Sequence, residues 1–357
     1  MRIHADPLTD FATAILDQAG GQPAFARKVA QRLVTANLTG HDSHGVGMIP
    51  AYVEGIQAGQ LNAAAEARLI EEKGPFLLVD GQQGFGQVVT EQAMEMAIAR
   101  AKEQHIAVLS LRNSFHLGRL GDWGAMAAEA GLIGILYANV LSPNSLVAPF
   151  GGSTARFTTN PYCTAIPATA QTPMLLLDMA TSQIAMGKAR VAHLSGKPVP
   201  PGSVIDATGA PTTDPAVMFE EPKGALTTMG AHKGFGLAIL CDILGGSFSG
   251  GGANLPERVV EGRIINNLFA IVFDPDVYGG AAEMGLDIDA YTQWVKSSPP
   301  GPGSDGVLFP GDPERLAQAD RGANGIPLDD GTWTELVTAA ETAGLSAVRI
   351  AELAKTA

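Results

Sequence analysis

Apolar residues in the first 60 positions recur with helical spacing. Pro23 suits the first turn of a helix, apolar residues follow at every fourth position from Phe25 to Leu33, and Gly40 lies past the end. A second helix is predicted from about 47 to 59. Its apolar stripe consists of Ile49, Tyr52, Val53 and Ile56. The polar segment 40–45 joins the two predicted helices.

From about residue 66 the pattern changes to short apolar runs that have the length of strands and end in turn-forming residues. The predicted strands lie at 76–79, 106–109, 133–136 and 174–177. The predicted helices in the rest of the chain lie at 90–104, 122–130, 331–342 and 346–355. Two glycine-rich or proline-rich segments, 244–255 and 298–303, are predicted to be loops or crossovers.

This order of elements predicts an α/β (α+β) fold in which helices from both ends of the chain flank a sheet. We expect a mainly helical domain formed by residues 1–65 plus 285–357. Residues 66–284 are expected to form the central sheet domain.

The charge balance excludes several classes of partner. The chain has 23 Lys and Arg against 36 Asp and Glu, a net charge of −13, which repels nucleic acids and anionic membrane surfaces. No apolar run approaches the length of a membrane span, and the first residues lack the basic and apolar regions of a signal peptide. We therefore expect a soluble, cytoplasmic protein with no nucleic-acid or membrane partner and with buried, reduced cysteines at Cys163 and Cys241.

His44 is the first candidate for chemistry, because an imidazole that titrates near neutral pH can exchange a proton with a reacting oxygen. Ser43, directly before it, could orient the ring. The alternative is that Asp42 or Ser43 caps the following helix and His44 has no chemical role. His41 and His44 could also suggest a metal, but two histidines with no third ligand nearby are weak evidence, and we expect no metal ion.

His116 is the second candidate, since it follows a predicted strand and lies close to Gly118 and Arg119. A third group of polar residues comes at strand ends, at Thr159 and in the segment Asp178-Met179-Ala180. His232 and Lys233 begin a predicted helix, where a phosphate could bind. Each of these residues could equally be a structural residue, a cap or part of a turn, as could the segment Phe309-Pro310-Gly311-Asp312.

Three motifs are absent. Neither Gly84-x-Gly86 nor Gly234-x-Gly236 has the third glycine of a Rossmann fingerprint, and no Walker P-loop is present. The sequence also lacks the G-x-S-x-G motif of serine hydrolases.

Several short motifs occur together in one order along the chain. They are Ser43-His44-Gly45 with Pro50 and Tyr52, Asn113-Ser114-x-His116-x-Gly118, Pro149-x-Gly151-Gly152, Thr159-Asn160-Pro161, Asp178-Met179-Ala180-Thr181-Ser182, Pro211-Thr212-Thr213-Asp214-Pro215 and Lys233-Gly234-x-Gly236-Leu237. With this set the chain resembles the type 2 malate/L-lactate dehydrogenases over essentially its whole length. Within that family it is most similar to the hydroxycarboxylate dehydrogenases, which reduce 2-oxo acids.

The resemblance implies that NAD(H) or NADP(H) binds to a non-Rossmann mixed or antiparallel sheet. It also implies a homodimer with its site near the subunit boundary and a small 2-oxo or 2-hydroxy acid as substrate. It assigns proton transfer to His44 with Ser43, or to His116. The residues that it implies around the cofactor are His44, His116, Gly118, Arg119, Leu120, Asp178, Met179, Ala180, His232, Lys233, Asn266, Phe309, Pro310, Gly311 and Asp312.

The implied substrate residues are Met48, Tyr52, Thr159 and Met186. Relatives often carry arginine at the positions of Met48 and Met186, so two guanidinium groups that could hold a carboxylate are replaced here by adaptable apolar side chains. This favours a larger or aromatic substrate side chain, as in phenylpyruvate. The remaining candidates for the carboxylate are Arg119, Arg156, Lys188 and Arg190.

Three other functions stay open from the sequence. One is a cyclic-imine reductase, of the pyrroline or piperideine carboxylate type, on the same fold. The second is a metal-dependent hydrolase that uses His41, Asp42 and His44. The third is a binding protein that has kept the fold without catalysis.

Overall fold

The computed structural model describes residues 1–259 and 262–356. The helices are α1 (Ala5–Gln18), α2 (Pro23–Leu38), α3 (Ile49–Gln57), α4 (Gly86–Gln104), α5 (Leu120–Glu129), α6 (Met186–Leu194), α7 (His232–Leu240), α8 (Ala281–Lys296), α9 (Asp312–Asn324), α10 (Asp330–Ala343) and α11 (Ala347–Thr356). The strands are β1 (Arg2–Ile3), β2 (Arg68–Lys73), β3 (Phe76–Asp80), β4 (Ile106–Ser114), β5 (Ile133–Leu141), β6 (Tyr162–Ile166), β7 (Leu175–Met179), β8 (Val204–Ile205), β9 (Pro211–Thr212), β10 (Ala225–Leu226), β11 (Ile265–Phe273) and β12 (Ile326–Pro327).

The main sheet has seven strands in the order β2-β3-β4-β11-β5-β6-β7. Only the β3–β4 pair is parallel, and the other neighbours are antiparallel. The predicted mixed α/β fold is therefore confirmed. The four predicted strands are present, and β4 and β5 extend five residues beyond the predicted 106–109 and 133–136.

The helices at the two ends of the chain share one hydrophobic core. Buried side chains of α1, α2, α3, α10 and α11 contact one another there, and Phe85, Val88 and Phe115 join them from the sheet side. The short strands β1 and β12 pair antiparallel, so that the two ends of the chain meet. The domain boundaries drawn from the sequence stay a prediction.

A second core lies between the main sheet and helices α4 and α5, with Trp123 fully buried among aliphatic side chains. A third, smaller core joins β8 and β10 to α6 and α7 through residues such as Phe157 and Leu226. In the described part of the chain, no helix is both long enough and apolar enough to cross a membrane.

One prediction of loop structure was wrong over 244–248 and correct over 249–255, which form neither helix nor strand. Residues 244–255 were expected to be a loop or crossover, but the helix that begins with α7 continues as a π-helix over Cys241–Phe248. Two glycines make this possible, because a Cβ at Gly245 would lie 3.0 Å from the backbone of β5 and one at Gly246 would lie 2.3 Å from Asn139 Nδ2. The glycines therefore let this helix pack closely against the sheet rather than break it.

Candidate active site

His44 lies in a 3₁₀ turn, Asp42–His44, between α2 and α3. Asn37 holds this turn, since its Nδ2 donates to Asp42 Oδ1 at 2.7 Å and its Oδ1 accepts from Val46 N at 2.8 Å. Arg321 of α9 forms an ion pair with Asp42 from the other side. Asp42 thus anchors the turn, and neither Asp42 nor Ser43 caps α3, so the predicted capping role is wrong.

His116 follows β4 and lies directly against the start of α4. A Cβ at Gly86 would come within 2.0 Å of His116 O, so the helix can approach this closely only through glycine. His116 Nε2 lies 3.1 Å from His44 Nδ1, and the two rings are parallel within 6°. The structure therefore joins the two histidines that the sequence analysis treated as separate candidates.

Tyr52 of α3 supports His116 from behind. Its hydroxyl lies 2.7 Å from His116 Nδ1, and Gln87 Nε2 of α4 donates to the same hydroxyl at 2.6 Å. The Tyr52 side chain is fully buried. The structure thus places Tyr52 beneath the histidine pair, with its hydroxyl engaged by protein groups. Gln87 was missed by the sequence analysis, and the only signal for it was an amide in the apolar first turn of α4.

Burial determines the ionisation states of His116, His44 and Tyr52. Desolvation and the nearby His44 lower the pKa of His116 to about 3, and burial also lowers the pKa of His44, an effect that the Asp178 carboxylate opposes. Burial raises the pKa of Tyr52. At neutral pH the two imidazoles are therefore neutral. His44 is partly exposed while His116 is buried, so His44 is the member of the pair that a ligand can reach.

A buried ionic cluster lies next to the histidines. Arg119 Nε is 3.3 Å from Asp122 and 3.5 Å from Asp178, and Arg119 Nη1 donates to Thr39 Oγ1 at 2.6 Å. Asp178 also accepts from Gly121 N at 2.9 Å. Burial raises the pKa of Asp122, and the guanidinium of Arg119 opposes that rise. Because Arg119 is compensated by two carboxylates, it is a poor candidate for holding a third one from a substrate.

Two of the predicted cofactor segments lie beside these groups. Asn266 Oδ1 accepts from Leu117 N at 2.9 Å, while its Nδ2 is buried and has no partner among the described residues. Pro310 O accepts from Leu176 N at 3.2 Å, which places the 309–312 segment against β7. Asp312 pairs with Lys296 and Arg315 and accepts from Phe309 N. Burial raises the pKa of its carboxyl, but these three contacts outweigh burial and hold it at about 2.

The other predicted residues lie at the start of α6, near the start of α7 and against the helical core. Met186 opens α6, where a Cβ at the next residue, Gly187, would lie 3.4 Å from Ser43 Cβ, so this helix begins beside the His44 turn. Thr159 O accepts from Thr181 N at 2.9 Å, and Thr181 O accepts from Met229 N just before α7. His232 and Lys233, the first residues of α7, are exposed. Met48 is partly buried against the helical core.

In the structure each of the three proposed metal ligands contacts a different partner. His41 Nε2 lies 3.0 Å from Glu314, Asp42 pairs with Arg321, and His44 bonds to His116. Within 1–259 and 262–356, no group of three or more His, Cys, Asp or Glu is arranged to hold a metal ion.

Comparisons with known proteins agree on one family. The family described as malate/L-lactate dehydrogenase matches residues 3–337. Hydroxycarboxylate dehydrogenase B of Escherichia coli (strain K12) is 42% identical over 346 residues, covering 96% of this chain and 95% of that protein. A solved E. coli structure of the malate/lactate dehydrogenase type superposes with a TM-score of 0.95 at 40% identity, over 99% of both chains.

A more distant structure carries a different name. The Δ1-piperideine-2-carboxylate reductase from Pseudomonas syringae superposes with a TM-score of 0.82 at 26% identity, and the match covers 95% of this chain and 99% of that one. One fold therefore includes proteins named for the reduction of a cyclic imine and proteins named for hydroxy-acid oxidation.

Proposed function

Because this chain belongs to the malate/L-lactate dehydrogenase family, we propose that it interconverts 2-hydroxy acids and 2-oxo acids by hydride transfer with NAD(H) or NADP(H). The family matches confirm the resemblance predicted from the motifs, and the named relatives make the chain an oxidoreductase that acts on CH–OH groups. The observation that supports the proposal is the hydrogen-bonded pair of His44 and His116, of which only His44 is partly exposed.

The chemistry of the site is a proton transfer coupled to a hydride transfer. A bound nicotinamide ring supplies the hydride acceptor for oxidation and the hydride donor for reduction. His44 Nε2, the ring nitrogen that does not bond to His116, takes the proton of the substrate hydroxyl as the C2–H bond breaks and the C2=O bond forms. In reduction the same nitrogen returns the proton to the oxygen. Such acid–base help contributes about 10²- to 10⁴-fold.

The residues around the pair fit a nicotinamide cofactor. The buried Nδ2 of Asn266 has no acceptor within residues 1–259 and 262–356, which is the condition expected of a donor that meets a ligand oxygen. Lys233 at the exposed start of α7 suits a phosphate. We assign cofactor binding to these two residues together with His116, Gly118, Leu120, Asp178–Ala180, His232 and the 309–312 segment.

The substrate end of the site is apolar and short of cations. Met48 and Met186 favour a larger or aromatic side chain on the 2-oxo acid. Arg119 is compensated by Asp122 and Asp178, and Arg190 forms an ion pair with Glu335 at 2.9 Å. The exposed Lys188 lies on α6, which begins beside Ser43, and we assign the substrate carboxylate to it. The homodimer and the cytoplasmic location belong to the same proposal.

A substrate panel tests the function. We expect the purified protein to oxidise NADH or NADPH with phenylpyruvate and more slowly with 2-oxoglutarate, as measured by the loss of near-ultraviolet absorbance. His44→Ala should lower kcat by about 10²-fold or more while coenzyme affinity, measured by fluorescence titration, stays within about threefold. Near-full turnover of His44→Ala would transfer the proton role to His116.

A cyclic-imine reductase is the second candidate, supported by the likeness to the piperideine carboxylate enzyme. An imine nitrogen would take the place of the carbonyl oxygen next to His44. Faster turnover of Δ1-piperideine-2-carboxylate than of every 2-oxo acid in the panel would favour it. Tight coenzyme binding without turnover of any compound would indicate a binding protein instead.

A further inference from the structure

The four side chains Gln87, Tyr52, His116 and His44 form a continuous hydrogen-bonded chain. The successive distances are 2.6 Å from Gln87 Nε2 to Tyr52 Oη, 2.7 Å from Tyr52 Oη to His116 Nδ1, and 3.1 Å from His116 Nε2 to His44 Nδ1. Each of the two histidines is neutral and can carry its proton on either nitrogen. The chain therefore has two possible directions of donation.

In the first direction Gln87 donates to Tyr52, Tyr52 donates to His116 Nδ1, and His116 Nε2 donates to His44 Nδ1. His44 then carries its proton on Nε2, the nitrogen that faces the substrate. A neutral His44 in this state has no free lone pair at Nε2 and cannot accept the substrate proton there.

In the second direction His44 Nδ1 donates to His116 Nε2, and His116 Nδ1 donates to Tyr52 Oη. His44 Nε2 is then bare and can accept a proton, after which both nitrogens of His44 carry one. The state of His44 that is ready to accept the proton and the doubly protonated state that results therefore both need the Tyr52 hydroxyl to accept from His116 Nδ1. The Tyr52 hydroxyl must then donate elsewhere, and its other described hydrogen-bond partner is the Gln87 amide.

The Gln87 amide is suited to serve both directions. Its Oε1 is buried and has no hydrogen-bond partner in the part of the chain that the structure describes, while its Nε2 bonds to Tyr52. A half-turn of the amide exchanges the two atoms and presents Oε1 to the Tyr52 hydroxyl. One half of the amide is unpaired in either orientation, so neither orientation is favoured by the number of its hydrogen bonds.

We propose that Gln87 is a positioning residue that sets which nitrogen of His44 carries the proton, by accepting from or donating to Tyr52. This inference rests on the proposed function, since it assigns Gln87 a role in the proton transfer by His44. Gln87 touches neither histidine in a hydrogen bond and acts through Tyr52.

The test uses Gln87→Met, which keeps the length of the side chain and can neither donate to nor accept from the hydroxyl as an amide does. Among the described residues, the Tyr52 hydroxyl then has only His116 Nδ1 to donate to, which fixes the unreactive direction. We expect kcat for hydroxy-acid oxidation to fall about 10- to 100-fold, the effect of leaving a buried hydroxyl unpaired in the reactive state. Thr90→Val, at a buried position of the same helix, is the matched control and should leave kcat unchanged.

The double variant Tyr52→Phe with Gln87→Met distinguishes positioning from structural damage. Without the tyrosine hydroxyl nothing fixes the direction, so Gln87→Met should change kcat less than about threefold in the Tyr52→Phe background. An equal loss in both backgrounds would overturn the proposal, because the amide would then act without Tyr52.

Nitrogen-15 NMR of the imidazoles, recorded on the free protein at neutral pH, gives a readout that needs no substrate. The wild-type protein should populate the form of His44 protonated on Nδ1, and Gln87→Met should remove that form. An unchanged tautomer distribution would overturn the proposal even if the enzyme is active. If no 2-oxo acid is turned over, the proposed function fails, while the NMR result still decides the role of Gln87.

Discussion

At the scale of single residues, His116 is an ionisable ring with almost no access to water. Its exposed fraction is 9%, and its folded-state pKa of about 3 lies far below the ordinary value of 6.5. The ring is held neutral by its surroundings and bonded at both nitrogens. A buried group with a depressed basic pKa makes the stability of the protein depend on pH.

The expected dependence has a definite sign. Between pH 6.5 and 3 the unfolded chain binds a proton at His116 that the folded protein does not, so the free energy of unfolding falls as pH falls through this window. One such group contributes a slope of about 1.4 kcal/mol per pH unit. His44, whose pKa is also lowered, adds to the effect in the same direction.

Urea unfolding at a series of pH values measures this slope. The side chain of His116→Gln binds no proton in the folded or the unfolded state. The free energy of unfolding of this variant should therefore depend less steeply on pH than that of the wild-type protein, by the slope that one proton contributes. Equal slopes for the two proteins would contradict the assignment. Thr90→Val, which changes no ionisable group, is the control and should keep the wild-type slope.

The sequence identified both histidines but not their contact. They lie 72 positions apart, and only the close approach of α4 at Gly86 and the anchoring of the 42–44 turn bring them together. Such tertiary contacts leave no periodic signal. For the same reason Tyr52 was predicted as a substrate residue, while the structure shows its hydroxyl engaged by His116 and Gln87.

At the scale of elements, the start of α4 determines where His116 lies. A Cβ at Gly86 would approach His116 O to 2.0 Å and Leu117 Cα to 2.6 Å, and both obstacles are backbone that cannot turn aside. We expect Gly86→Ala to lower the free energy of unfolding by about 1–3 kcal/mol and to lower kcat by displacing His116.

Thermal unfolding and steady-state kinetics of the same variant check this expectation. Gly322→Ala in α9 is the matched control, because no described atom outside the neighbouring residues and the backbone of its own helix lies within 4 Å of the added methyl group. That change should stabilise the protein by about 0.5–1 kcal/mol, as alanine replaces glycine inside a helix. An unaltered kcat in Gly86→Ala would show that His116 tolerates the shift.

Helices and strands were predicted best where the spacing of apolar residues is regular along the whole element. The helices at α3, α10 and α11 were located within a few residues, whereas the central strand β11 was missed. Asn266 and Asn267 interrupt its apolar run, and such residues are depleted in strands. The structure explains them: Asn267 Oδ1 accepts from Asn113 N and its Nδ2 donates to Asn139 Oδ1, contacts to two other segments that no local pattern reveals.

At the scale of the whole molecule, the helical core depends on both ends of the chain. Leu336 of α10 is fully buried in the same core as residues of α1 and α3, and the 42–44 turn that carries His44 contacts this layer through α2.

We expect Leu336→Ala to lower the free energy of unfolding by about 2–5 kcal/mol. Urea unfolding measures this, and Leu308→Ala, at an exposed position, should change it by less than about 0.5 kcal/mol. A loss below 1 kcal/mol for Leu336→Ala would mean that α10 adds little to this core.

The set of motifs identified the family, which no single motif could do. The negative charge and the absent Rossmann fingerprint excluded alternatives, but several separate motifs in one order indicated the family. What the sequence could not predict was the arrangement of charges inside the site. Arg119 was a candidate for the substrate carboxylate until the structure placed Asp122 and Asp178 against it.

The meeting of the chain ends affects the order in which the protein can be completed during synthesis. Arg2 and Ile3 pair with Ile326 and Pro327, and the amino group of Met1 donates to Leu328 O at 2.9 Å. A ribosome releases the N-terminal segment first, yet its partners emerge only after more than three hundred further residues. The helices α10 and α11, which pack against α1 in the folded protein, are therefore synthesised long after it, and until then the nascent chain leaves that part of α1 open to a chaperone.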